Sequence, residues 1–177
     1  MRIIRGTHRG RKITPPAGLP VRPTTDLAKE SLFNILDNHI YFEDTRVLDL
    51  YAGTGSISYE FASRGSQYVI SVDIDPGCIR FISETSAKLG FAGLRAIRSS
   101  SLGFLGHCNE KFDLIFADPP YELEGIEELI NMVFSRQLLN EEGWLIIEHA
   151  REKDFSALPG FSQHRNYGKV NFTFFRK

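Results

Sequence analysis

The sequence predicts an α/β domain with a mostly parallel sheet and helices on both faces. Three observations carry this. Short bulky apolar segments alternate with segments whose apolar residues recur at helical spacing, the pattern of repeated βα units. A glycine-containing turn, Asp49-Leu50-Tyr51-Ala52-Gly53-Thr54-Gly55, follows the first such segment, and an acid, Asp73, closes the second. A run buried on both faces by its composition, Phe112 to Ala117, stops abruptly at Asp118-Pro119-Pro120-Tyr121.

The elements follow in order. Residues 2–5 and 11–14 flank Gly6 and Gly10 and read as a small basic hairpin or extended arm. The segment from Pro15 to Pro23 is a proline-rich loop. Thr24 or Thr25 caps a helix whose apolar face is Leu27, Ala28, Leu32, Phe33, Ile35 and Leu36, running to about Asn38. Val47 to Leu50 is a strand, and Ser56 to Arg64 is a helix closed by Gly65. Tyr68 to Val72 is the second strand, and a helix opened by Pro76 and closed by Gly90 follows it. Leu94 to Arg98, Phe112 to Ala117 and Trp144 to Ile147 are further strands. Leu123, Ile126, Leu129, Ile130, Val133 and Phe134 mark a helix between the last two. Val170 to Phe174, with a partner near 161–166, adds a C-terminal hairpin.

Composition narrows the class. At 177 residues, 42% hydrophobic and 24% charged, the chain is read as one globular domain spanning 1–177. Its apolar runs are too short to span a membrane, and the basic start lacks the apolar core of a secretory signal, so a cytoplasmic protein is expected. Cys78 and Cys108 show no paired spacing and read as reduced packing residues; no metal site is expected. The net charge of −1 hides a polarity. Residues 1–25 hold six bases and no acid, residues 149–177 are also basic, and the body between them is strongly acidic. Two basic ends on an acidic body suit a polyanion; two solvated tails account for the charge equally well.

The residues at the strand ends suggest chemistry. Neither proline of Asp118-Pro119-Pro120-Tyr121 can donate to a ladder, so the strand ends in a stiff turn. That turn presents a carboxylate, backbone carbonyls and a phenol ring where open α/β sheets keep their ligands. Asp118 and the Pro119 carbonyl can each accept one N–H of an exocyclic amine while Tyr121 stacks on its ring. Gly53 and Gly55 allow close backbone approach, and Asp73 can accept ribose hydroxyls, so an adenosine-type cofactor is expected. Asp49 beside that turn repels pyrophosphate and attracts a cation, which favours S-adenosylmethionine over a dinucleotide. Thr24 and Thr25, at a helix N-terminus, are placed to hold its carboxylate, though simple capping explains either residue as well.

With these motifs in their order, the chain resembles the class I SAM-dependent methyltransferases, and within them the RsmD-type small-subunit rRNA guanine-N2 methyltransferases. The likeness spans nearly the whole chain. It rests on Arg2-Ile3-Ile4-Arg5-Gly6, Arg9-Gly10-Arg11-Lys12, Arg22-Pro23-Thr24-Thr25-Asp26, Glu30-Ser31-Leu32-Phe33-Asn34, Leu48 to Gly55, and Asp118 to Tyr121. The resemblance implies a Rossmann-like seven-stranded sheet and S-adenosyl-L-methionine as cofactor. It also implies methyl transfer to the N2 amine of a guanine in 16S rRNA, at position 966. Asp118, Pro119, Pro120 and Tyr121 then form the catalytic corner. Asp49, Ala52, Gly53, Thr54, Gly55, Asp73, Ile74, Ser100, Ser101 and Leu102 join Thr24 and Thr25 around the cofactor. Ser100 stands where such enzymes often carry Asp or Asn for the adenine amine. Arg2, Arg5, Arg9, Arg11, Lys12 and Arg22 form an RNA-contacting arm over residues 1–23, ahead of a catalytic core over 24–177, in a protein expected to be monomeric. Two alternatives remain open: an adenine-N6 methyltransferase on DNA or RNA, because the tetrapeptide grips any exocyclic amine, and a non-catalytic rRNA-binding assembly factor.

Overall fold

A computed structural model describes residues 1–19, 26–121, 123–168 and 170–177. Thr24, Thr25 and Arg22 therefore lie outside the described residues. Seven strands form one sheet: β1 (Arg46–Leu50), β2 (Tyr68–Asp73), β3 (Leu94–Arg98), β4 (Phe112–Ala117), β5 (Leu139–His149), β6 (Phe161–Tyr167) and β7 (Val170–Arg176). Their order is β3-β2-β1-β4-β5-β7-β6. The first five pair in parallel, and β7 runs antiparallel to both β5 and β6. The expected seven-stranded, mostly parallel sheet is the one observed.

Five α-helices accompany it: α1 (Asp26–Leu36), α2 (Ser56–Ser63), α3 (Pro76–Leu89), α4 (Ser101–His107) and α5 (Ile126–Ser135). Helices α1, α2 and α3 pack on one face, against Val47, Val69, Leu114, Phe116, Ile146 and Phe172. Helices α4 and α5 cover the other, against Leu48, Leu50, Ile115, Ala117, Ile147 and Phe175. Alternate residues of each strand thus enter opposite cores, which explains why β1 and β4 read as continuous apolar runs. Each large side chain fully buried this way contributes about 1.5–3 kcal/mol.

Local signals set the helix limits. Asp75 accepts from the Cys78 N–H at 2.8 Å and caps α3, with Pro76 in its first turn; Gly90 ends it at φ +69°. Three departures stand out. Helix α4 was not expected, although Ser100 caps it by accepting from the Gly103 N–H at 3.1 Å. Strand β5 starts at Leu139 rather than Trp144, with a register irregularity opposite 112–114. Leu27, assigned to the apolar face of α1, is 71% exposed, because it sits in the helix's first turn.

Residues 1–13 double back on themselves, with Arg2 and Lys12 in an antiparallel bridge. This hairpin does not extend free: Ile3 and Ile13 are buried in the first core. Gly6 packs so closely on α2 that a Cβ there would lie 1.8 Å from the Ser63 carbonyl oxygen. Among the described residues no helix is long and apolar enough to cross a membrane, and no cluster of acids, histidines and cysteines is placed to hold a metal ion.

Candidate active site

The C-terminal ends of β1, β2, β4 and β5 line up in register. Leu50 pairs with Val72 on one side and Ala117 on the other, and Ala117 pairs with Ile147. The strand order reverses between β1 and β4, the place where open α/β sheets leave a crevice. Every strand-end residue singled out from the sequence on β1, β2 and β4 falls along this edge.

The turn after β1 is held open by three devices. Ala52 donates its N–H to the Val72 carbonyl at 3.0 Å, hooking the turn to β2. Tyr51 adopts φ +58°, an uncommon conformation for a bulky residue. Gly53 and Gly55 also have positive φ, and at Gly55 a Cβ would lie 2.9 Å from the Tyr59 ring and 3.0 Å from Ile82. Glycine at 55 is thus required by both backbone and space.

Asp73 braces the same turn from β2. One carboxylate oxygen accepts from the Gly53 N–H and the other from the Asp75 N–H, both at 2.8 Å. Each oxygen keeps a further lone pair for a diol. The next residue, Ile74, is 68% exposed, leaving apolar surface beside the acid. Ser101 is buried and lies near the Tyr51 phenol, while the Ser100 hydroxyl is engaged in capping α4.

Asp49 is 1% exposed, and its Oδ2 accepts from the Ser58 N–H at 3.1 Å and the Ser58 hydroxyl at 2.5 Å. The N-cap of α2 is Gly55, which has no side-chain oxygen, so Asp49 satisfies a free amide of the first turn instead. Burial pushes the Asp49 carboxyl up to about 7; the Ser58 bonds oppose this, and the charges of Asp118 and Asp73 add to it. The sequence suggested a cation-facing acid. The structure adds a helix-capping role.

The corner at 118–121 stands one residue beyond β4. The Asp118 N–H still reaches the Leu50 carbonyl at 3.4 Å, and the Leu123 N–H closes a turn on the Pro120 carbonyl at 2.8 Å. Pro119 is buried, Pro120 exposed, and Asp118 and Tyr121 are half-buried. Burial raises the Asp118 pKa to about 7. A carboxyl unnoticed in the sequence, Glu148 near the end of β5, lies by the Tyr121 phenol and is itself raised, first by burial and then by the charge of Asp118.

The basic hairpin is anchored by α2. Glu60, fully buried, accepts from the Ile4 and Arg5 N–H groups at 2.8 and 3.0 Å and from Arg64 at 2.9 Å. Buried Lys29 lies 3.7 Å from Glu60 and donates to the Arg2 carbonyl and to the Ser56 hydroxyl, at the start of α2. Arg5 and Arg64 share Asp37, and Arg2 lies 3.5 Å from Asp26. Arg9, Arg11 and Lys12 are exposed. Of the five described bases expected on the arm, two therefore have acidic partners in the fold.

Comparison with known proteins shows the family and the shared fold. The model of the family described as "conserved hypothetical protein 95" matches residues 1–176. A Bacillus subtilis protein named putative rRNA methyltransferase YlbH is 32% identical, over 100% of this chain and 99% of its own. Ribosomal RNA small subunit methyltransferase D of Escherichia coli K12 is 30% identical, over 100% of this chain and 90% of its own. Among solved structures, the putative methyltransferase yhhF of Escherichia coli superposes with a TM-score of 0.88 at 29% identity, covering 100% of this chain and 97% of that one. A Salinibacter ruber RNA methyltransferase, solved with S-adenosyl-L-homocysteine, superposes at 0.68 with 12% identity, covering 88% and 93%, which shows the shared fold.

Proposed function

This chain belongs to the conserved hypothetical protein 95 family, the RsmD family, and we propose that it transfers a methyl group from S-adenosyl-L-methionine to the exocyclic N2 amine of a guanine in 16S rRNA, at position 966. The observation that carries the reading is the register of the strand ends. It sets the Asp118-Pro119-Pro120-Tyr121 corner directly beside the glycine turn and near the acid of β2.

The residues present suit that cofactor. Asp73 offers acceptors to a ribose diol, exposed Ile74 a surface for a purine ring, and buried Asp49 a negative potential for a sulfonium and an ammonium. Thr24, Thr25, Ala52, Thr54, Ser101 and Leu102 complete the proposed pocket. When bound, the cofactor supplies an electrophilic methyl group. The protein supplies position and charge. Asp118 and the Pro119 carbonyl accept the two amine N–H bonds, which concentrates the nitrogen lone pair and aims it. Tyr121, near Glu148, gives the extruded base a stacking surface worth on the order of 1–3 kcal/mol. A carboxyl titrating near 7 is basic enough to take the proton that the amine sheds. Arg9, Arg11 and Lys12, with Arg2, Arg5 and Arg22, contact phosphates, which fixes the register of the RNA without reading its sequence.

The test is direct. The protein is incubated with isotopically labelled S-adenosylmethionine and, separately, unmodified small subunits, free 16S rRNA and duplex DNA. Mass spectrometry of the digested nucleosides should find N2-methylguanosine from the ribosomal RNA. Methylated adenine, or label only in DNA, would overturn the assignment.

A further inference from the structure

Among the described residues, Glu148 is the strongly buried acid at the cleft that the reaction outlined above leaves half used. It is 4% exposed, and its Oε2 has no hydrogen-bond partner among the described residues. The Tyr121 phenol lies near its carboxyl. A buried carboxylate oxygen without a donor is costly, and such sites persist where a ligand completes them.

The register shows what Glu148 accompanies. Ala117 pairs with Ile147, so Asp118 and Glu148 are the next residues outward on adjacent parallel strands. Phe116 and Ile146, two residues before each, lie in the same core, so period-two alternation places Asp118 and Glu148 on one face. Two acceptor side chains therefore stand side by side at the corner, and a ring gripped through its amine at Asp118 presents its neighbouring edge atom to Glu148. Burial and the charge of Asp118 make the ionised form of Glu148 costly, so a hydrogen donor held against its free oxygen stabilises that form.

Purines differ at that edge atom. Guanine carries N1–H beside its 2-amino group, a donor next to donors. Adenine carries an unprotonated N1 beside its 6-amino group, an acceptor next to donors. Once ionised, a carboxyl can only accept, so the comparison below is made at alkaline pH, where the raised Glu148 carries its charge. Resting on the methyltransferase reading above, we propose that Glu148 reads the target base, its free oxygen accepting guanine N1–H while Asp118 and the Pro119 carbonyl hold the 2-amino group. Adenine at the same place would leave this oxygen unpaired against a lone pair, and the site rejects it. The selectivity that Asp118-Pro119-Pro120-Tyr121 lacks by itself is thus supplied from the next strand.

The test uses 2,6-diaminopurine, which keeps the 2-amino group but has an unprotonated N1. Two RNA fragments are made around the methylated nucleotide, one with guanine and one with diaminopurine there. Single-turnover rates are measured for the wild type and Glu148→Ala. The wild type should favour guanine by about 10- to 100-fold, the scale of a lost bond to a charged acceptor. In Glu148→Ala the preference should fall to within about threefold, because the guanine rate drops far more than the diaminopurine rate. Equal losses on both RNAs, or none, would overturn the proposal and leave Glu148 a support for Tyr121. If the alanine variant does not fold, Glu148→Gln carries the test: its amide can donate to N1, so the ratio should move towards diaminopurine, and an unchanged ratio refutes the role. Failure of the underlying reading is visible separately, because the wild type would then leave the 2-amino group unmethylated in both fragments.

Discussion

Replacing Asp49 with Asn should stabilise the fold while weakening the cofactor site, and the size of the gain should depend on pH. In the folded protein Asp49 titrates at about 7, against 3.8 for an ordinary aspartate. A carboxyl whose folded pKa is raised binds its proton more tightly when folded. Stability therefore falls as pH rises between the two values, and the penalty is complete above the upper one. The full displacement of about 3 units corresponds to a ceiling of ~4 kcal/mol. Between about pH 5 and pH 8 some 2 of those units are spent, a ceiling of ~3 kcal/mol. Asn keeps an acceptor for the Ser58 N–H and hydroxyl but must house an amide in a buried site, so about half the ceiling, ~1.5 kcal/mol, is the expected extra gain at the higher pH. Urea unfolding at both pH values measures it, as a midpoint advantage larger by roughly 0.5–1 M at pH 8. Calorimetry on the same protein should show S-adenosylmethionine binding at least about tenfold weaker, with a smaller loss for S-adenosylhomocysteine, which lacks the sulfonium. An advantage that is equal at both pH values, or larger at the acidic one, would refute the reasoning about Asp49.

Two further outcomes follow from packing. Gly55→Ala combines φ +83° with a Cβ 2.9 Å from the Tyr59 ring, whereas Gly90→Ala shares a positive φ but meets nothing within 4 Å. The first should cost about 2–3 kcal/mol in thermal or urea unfolding and the second about 1 kcal/mol, and equal losses would contradict the steric account. Glu60→Ala strands buried Lys29 and frees the Ile4 and Arg5 amides. A loss of about 3–5 kcal/mol is expected, with hydrogen exchange across residues 3–12 accelerating well beyond that of the sheet.

The parallel sheet was legible because its strands carry strong, simple signals. Leu94–Arg98 and Phe112–Ala117 fall where their apolar runs and flanking turns put them. Gly90 ends its helix in the left-handed region, as its position suggested. The seven-stranded, mostly parallel sheet and the RsmD family were legible through motif order, from the glycine turn to Asp118-Pro119-Pro120-Tyr121, while the strand order was not. Helix α4 was hidden because Gly103 and Gly106 thin out its apolar spacing and Ser99-Ser100-Ser101 reads as loop. Its signal was Ser100, a strong N-cap residue. The extension of β5 back to Leu139 was masked by Asn140, Glu141, Glu142 and Gly143, all poor strand residues.

Contacts between distant segments left no local trace. Nothing near Glu148 shows that it lies beside Asp118, since their adjacency comes from the pairing of β4 with β5, thirty residues apart. The anchoring of the hairpin on Glu60 is equally invisible, because an acid within α2 reads as surface until the backbone amides of Ile4 and Arg5 are seen to reach it. Charge counting likewise could not reveal that Arg5 shares Asp37 with Arg64.

The central claim is that the corner at 118–121 holds an amine for methylation, and single-turnover transfer by Asp118→Ala tests it most directly. Losing the charged acceptor should lower the rate at least about 100-fold, while affinities for S-adenosylmethionine and RNA stay within about threefold of wild type, because Asp73, Asp49 and the basic hairpin are untouched. In the wild type the rate should rise with pH at values above the ordinary carboxylate range, as the buried pair of Asp118 and Glu148 ionises. Methyl transfer by Asp118→Ala at the wild-type rate would contradict the account.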